Sequence, residues 1–147
     1  LVDPDNRRPV DFAARESLLA EAETAAPAEV WPERAHSGLP KLLLTQRALH
    51  LRRRRPECFC AGTSYEPLAA AGPKAAHAVA YVRGGDIVAV APRLVIGLAG
   101  DWAGTTLTLP PGRFEDVLDG GKRTFEGEVA LADLLGPFPV ALLKRAP

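Results

Sequence analysis

The chain has 147 residues, of which 47% are apolar and 24% charged, with 18 Lys/Arg against 18 Asp/Glu. That is enough for one globular domain or two small pieces. The balance excludes the basic bias of a nucleic-acid-binding domain, since positions 1–62 carry ten basic and nine acidic residues and positions 63–147 carry eight and nine. No apolar run reaches the ~18 residues of a membrane span, and no secretory signal pattern opens the chain.

The first stretch, LVDPDNRRPVDF at Leu1–Phe12, is polar and held stiff by Pro4 and Pro9. Five of its side chains, Asp3, Asp5, Asn6, Arg7 and Arg8, are strong hydrogen-bonding groups. The arginines donate in pairs and the carboxylates and the amide accept. Such a set suits a polyhydroxylated ligand, whose hydroxyls both donate and accept. It equally suits a self-satisfied loop of Asp caps and Asp–Arg pairs, and chemistry alone does not choose between them.

Asp11 is placed to cap a helix starting at Phe12. Phe12, Leu19, Ala22 and Ala26 recur at helical spacing with Leu18 beside them, and Pro27 ends the run. Residues 28–40, with Pro32, Gly38 and Pro40, read as a connection. A second helix is expected from about Pro40 to Arg54. Its apolar arc (Leu42, Leu43, Leu44, Ala48, Leu49, Leu51) is wider than the first helix can cover, which predicts a larger partner surface.

After Pro56 the pattern turns to strands. HAVAYVRGGDIVAVAPR is two β-rich runs about Gly84-Gly85, a hairpin expected to turn on two residues of positive φ. Its strands are apolar or small on both faces, so they are expected in the middle of a sheet. Further short strands are expected in TTLTL (105–109), FEDVL (114–118), RTFEGEVAL (123–131) and PVALLKR (139–145). Residues 63–147 therefore read as an antiparallel β-sandwich, and the whole chain as an α+β arrangement of helices followed by strands.

Most candidate chemistry has an ordinary explanation. The run Arg52–Arg55 reads better as a helix C-terminus, where positive charge offsets the helix dipole, than as a phosphate site, because no stacking aromatics accompany it. His36, His50, His77, Cys58 and Cys60 match no zinc spacing, so no metal is expected. A Cys-x-Cys pair is badly placed for a disulfide, and with no disulfide framework the expectation is a cytoplasmic protein. No nucleophile elbow, P-loop, dinucleotide fingerprint or H-E-x-x-H is present. Trp31, Trp102, Tyr65 and Tyr81 are the aromatics able to stack on sugars, though such a Trp more often covers a sandwich core. The absence of Met predicts a processed product or a piece of a longer chain.

LVDPDNRRPVDF resembles a stretch of the maltooligosyltrehalose synthases, within the α-amylase superfamily (glycoside hydrolase family 13). The likeness continues through GLPKLLLTQRALHLRRRRPECF, YEPLAAAGPKAAHAVAYVRG, VIGLAGDWAGTTLTLPPGRFEDVLDG and LADLLGPFPVALLKR, so it covers essentially the whole chain. The resemblance implies that residues 1–62 are the end of a (β/α)8 barrel, its last βα loop and terminal helices. Residues 63–147 would be the C-terminal β-sandwich domain. It implies a parent enzyme that isomerises the reducing-end α-1,4 linkage of a maltooligosaccharide to α,α-1,1 by retaining double displacement between two carboxyl groups.

In that family the catalytic carboxyls stand on earlier barrel strands, so no catalytic residue and no cofactor is expected here, and the segment alone is expected to be inactive. Asp3 and Asp5 flank one proline in one loop and cannot face each other across a bond. The loop after a barrel strand does help build the active site in this fold. Arg7 and Asn6, then Asp5, Arg8 and Asp3, are thus the expected substrate-binding residues. The expected partners are the maltooligosaccharide and the missing N-terminal barrel, with neither nucleic acid nor membrane. The alternative is a free-standing carbohydrate-binding β-sandwich. Cys58 and Cys60 have no role the resemblance supplies.

Overall fold

The structure is a computed structural model and describes residues 9–147. Helix α1 spans Phe12–Thr24, and its first turn is capped as expected, Ala14 N–H donating to Asp11 Oδ1 at 2.9 Å. The expected connection contains one short helix, α2 (Pro27–Val30), with proline in its first turn. Helix α3 (Leu39–Arg54) starts after Gly38, which sits at φ 85°, and stops where Pro56 denies it a further amide. Ala22, Val30, Leu39 and Leu43 bury one another where α1, α2 and α3 meet.

That small core leaves much of the apolar helix surface uncovered. Phe12 is 76% exposed and Leu49 58%, and Leu19 is also exposed. The arc predicted to need a larger partner is therefore only partly covered among the described residues.

A 3₁₀ turn at Pro56–Cys58 leads into seven strands. They are β1 (Tyr65–Leu68), β2 (Ala70–Ala71), β3 (Ala78–Arg83), β4 (Ile87–Pro92), β5 (Thr106–Asp116), β6 (Thr124–Ala130) and β7 (Ala141–Arg145). Two short helices, α4 (Val95–Leu98) and α5 (Leu131–Leu135), interrupt them. All strands join one antiparallel sheet in the order β1-β3-β4-β7-β5-β2, with β6 on β5. As their two-sided apolar pattern predicts, β3 and β4 are flanked on both sides.

Two local details differ from the sequence reading. The β3–β4 hairpin pairs Arg83 with Ile87, so its loop has three residues, Gly84, Gly85 and Asp86, and both glycines take positive φ. The two strands expected at 105–109 and 114–118 are one bent strand, β5. Pro110 and Pro111 lack the N–H that a ladder needs, so the register with β6 breaks between Thr108 and Arg113. Gly127, at φ 65°, stands opposite this bulge. The bend lets one half of β5 pair with β2 and the other with β7, curling the sheet around its core.

That core contains Val88, Leu107, Phe114, Leu131, Leu134 and Leu143, all essentially without solvent contact. A third cluster, Leu51, Cys58 and Ile87, joins the end of α3 to the outer side of the sheet. Full burial of side chains such as Leu51 and Ile87 stabilises by about 1.5–3 kcal/mol each.

Candidate functional site

The expected ligand-binding residues Asp3, Asp5, Asn6, Arg7 and Arg8 lie outside the described residues. The remaining candidates can be placed. Arg52, Arg53 and Arg54 stand exposed on the last turn of α3, where they offset the negative helix end. Trp102 is 8% exposed and belongs to the sheet core. Trp31 meets Phe138 edge to face, with ring centroids 6.4 Å apart. Tyr65 is 59% exposed and lies against Tyr81 at 4.6 Å between ring centres.

His36 lies in the turn between α2 and α3, His50 on α3 and His77 in a 3₁₀ turn before β3. Among the described residues no group of three or more His, Cys, Asp or Glu could hold a metal ion. Both cysteines are unbridged. Cys58 is buried under α3, and burial pushes its thiol up from the ordinary value. Cys60 Sγ donates to Glu57 O at 3.3 Å.

What the fold does assemble is a set of arginines and carboxylates between the helices and the sheet. Arg55 ends α3, and its Nη2 donates to Asp86 Oδ2 at 2.6 Å while its Nε donates to Glu57. From the last strand, Arg145 Nε donates to Asp86 Oδ1 at 2.7 Å. Arg145 also donates to the carbonyls of Gly85 and Pro111 and lies over the Phe114 ring. Asp86, in the hairpin loop, thus ties the end of α3 to β7. The Arg145 hydrogen bond, with help from Arg55 and against partial burial, holds the Asp86 carboxyl below the usual carboxylate range.

A second knot lies in the turn between β5 and β6. Asp116 is 3% exposed; its Oδ1 accepts from Leu118 N–H at 2.8 Å and its Oδ2 from Arg123 Nη2 at 2.6 Å. Arg123 donates further to the carbonyls of Asp133 and Leu134, both at 3.0 Å, at the end of α5. Asp119 accepts from the backbone amides of Gly121, Lys122 and Arg123, which is why the sequence DGGK makes a tight turn here. Burial pushes the Asp116 carboxyl up, outweighing the pull of Arg123 and the Leu118 amide. The ion pair therefore limits a desolvation cost without cancelling it.

Between these knots and the helices is a cleft of about 990 Å³. The α1–α2 junction and α3 form one wall; the β5–β6 turn and the end of β7 form the other. Its carboxylates Asp86, Asp116 and Asp119 are committed to arginines and backbone amides, an arrangement suited to fastening and anion recognition rather than acid–base transfer. Sequence reading missed Arg47, Asp86, Asp116 and Arg123. The turn chemistry of D-x-x-D-G-G was the only local sign, and it marks Asp119 rather than the pair.

No family model matches the chain. A Mycobacterium tuberculosis (strain H37Rv) protein carrying the name maltooligosyl trehalose synthase is 39% identical over 146 residues, 99% of this chain. The chain spans 17% of that protein's length. The solved maltooligosyltrehalose synthase of Arthrobacter ramosus is 42% identical with a TM-score of 0.81, and a mutant of it is 41% identical with a TM-score of 0.83. In both, 99% of this chain matches 18% of the enzyme. A further maltooligosyl trehalose synthase crystal structure, 24% identical with a TM-score of 0.68, shares the fold. Along nearly its whole length, in sequence and in fold, this chain is similar to the C-terminal segment of maltooligosyltrehalose synthases.

Proposed function

We propose that this chain is the C-terminal part of an enzyme that isomerises the reducing-end α-1,4 linkage of maltooligosaccharides to α,α-1,1, in the cytoplasm. The observation that carries this reading is the 42% identity across 99% of the chain, joined to a TM-score of 0.81 against a solved maltooligosyltrehalose synthase. Residues 1–62 are then the end of the catalytic barrel, and residues 63–147 a C-terminal β-domain of sandwich type that supports it. The segment lacks the catalytic carboxyls and is inactive by itself. The exposed Phe12 and Leu49 support the reading, because a buried barrel helix needs just such a face.

In this reading Arg7 and Asn6, then Asp5, Arg8 and Asp3, hold the reducing-end glucose while its anomeric hydroxyl turns to accept the transferred chain. The test is Arg7→Ala in the full-length parent, measuring transglucosylation and released glucose together. Slower transglucosylation with more released glucose is expected, since a glucose held less firmly escapes to water. Unchanged values for both would count against the assignment.

One observation favours the second reading, a free-standing sugar-binding module: Tyr65 offers an exposed ring face beside Tyr81. Micromolar binding of maltooligosaccharides by the isolated chain, lost in Tyr65→Ala, would support it.

A further inference from the structure

Arg47 stands in the cleft wall on α3 with only part of its hydrogen-bonding capacity used. Its Nη2 donates to Ala25 O at 2.6 Å, the carbonyl just past the end of α1. Its Nη1 is shut off from solvent and has no partner among the described residues. A buried donor in that state is costly, and native proteins rarely leave one unmet. The nearest compensating charges are Asp116 and Asp119, which act on Arg47 through space. Neither carboxylate is hydrogen-bonded to Arg47; their oxygens accept instead from Arg123 and from backbone amides. Burial pushes the Arg47 guanidinium down from its ordinary value, against the pull of those two carboxylates.

The cleft as a whole has the same imbalance. Its walls carry seven Lys/Arg side chains against four Asp/Glu. Arg55, Arg123, Arg145 and Lys144 pair with Glu57, Asp86, Asp116, Asp119 and Glu115. That leaves Arg47, Arg54 and Lys122 against Glu23 among the described residues, so the group that fills it should be acidic. The volume, about 990 Å³, is far more than one water molecule needs. If the chain is part of a longer enzyme, more than four-fifths of that enzyme lies elsewhere, since the chain corresponds to 18% of the solved relatives. Resting on the reading under Proposed function, we propose that a carboxylate-bearing stretch of the parent enzyme, outside residues 1–147, enters this cleft and completes Arg47. The cleft is then the seat by which the rest of the enzyme grips the junction of helices and sheet.

Two measurements on the full-length parent test this. The first replaces Arg47 by Lys and adds a carbodiimide, which joins an amine to a carboxylate it already touches. Mass spectrometry should find position 47 linked to an Asp or Glu outside residues 1–147. A link to Asp116 or Asp119 alone, or none, overturns the proposal. The second titrates inorganic phosphate at constant ionic strength while following thermal unfolding of the parent and of Arg47→Met. The Arg47→Met variant should melt lower, and phosphate should move neither protein. A phosphate-dependent rise in the unmutated parent, lost in Arg47→Met, would mean that the cleft is open to free anions and would equally overturn it. The isomerisation assay on the unmutated parent judges the functional reading separately, so the two can fail independently.

Discussion

The pair Asp116–Arg123 allows the sharpest test of what holds the β-domain together. Replacing Arg123 by Met keeps most of the packing volume but leaves the almost fully buried Asp116 carboxyl held by one backbone amide. Removing one partner of a buried ion pair costs about 3–5 kcal/mol. Arg123 is 28% exposed at its side chain, so the low end applies, about 3 kcal/mol or roughly 6–12 °C in the melting midpoint. Asp116→Asn should cost much less. It removes the charge that burial penalises, and Arg123 keeps Asp119 and the carbonyls of Asp133 and Leu134.

The double variant should show a coupling of about 1–2 kcal/mol, because Arg123 matters chiefly where Asp116 is charged. The pH dependence has a definite sign. The folded Asp116 carboxyl lies above its unfolded value, so the folded chain holds that proton more tightly than the unfolded one. Asp116 therefore favours folding most below the unfolded value, and this contribution is lost as pH rises through the folded one. Without Arg123 the folded value rises further, so the deficit of Arg123→Met should be largest near pH 7 and shrink towards pH 4. Urea unfolding of the chain and its variants, followed by fluorescence of the buried Trp102, measures all four corners of the cycle. Equal losses for Arg123→Met and Asp116→Asn, or a deficit that grows on acidification, would refute the reasoning.

Other consequences concern the joint between helices and sheet. Asp86→Asn should cost about 1 kcal/mol, because it weakens two partly exposed charge pairs. Its folded carboxyl is depressed, so the stability it gives is present above the unfolded value near ~4 and lost as pH falls through the folded one. An acid titration of unfolding in which the variant and the unmutated chain stay equally far apart from pH 7 to pH 2 would contradict this. Asp11→Ala removes the α1 cap and should cost about 1 kcal/mol, read by helical circular dichroism during denaturation. Phe12→Ser with Leu49→Gln should reduce binding of an apolar dye by the isolated chain. No reduction would mean that these side chains are not the sticky surface.

The sequence made some of this legible and hid the rest for physical reasons. Asp11, the α3 periodicity and Gly84-Gly85 carry their structural meaning within a few residues, and α1, α3 and the β3–β4 hairpin follow from them. Pro110-Pro111-Gly112 looks like a turn between two strands. In the fold it is a bulge in one strand, because Gly127 on the neighbouring strand accommodates it. Helix α2, only four residues long, has too little periodicity to be seen. The helix–sheet clamp joins Arg55, Asp86 and Arg145, and Arg47 reaches back to Ala25; such pairings depend on tertiary approach and leave no local pattern. Arg52–Arg55 split between both kinds: three of them serve the helix end, while Arg55 turns inward to Asp86.

The central claim is that residues 1–147 complete an isomerase whose chemistry lies elsewhere in the parent. Its most direct test is loss of reducing ends from maltopentaose, measured for the full-length parent, for the parent lacking this segment, and for the segment alone. The account predicts conversion to a non-reducing α,α-1,1 product by the full-length protein and none by either part alone. Full activity in the truncated parent, or conversion by the segment alone, would contradict it.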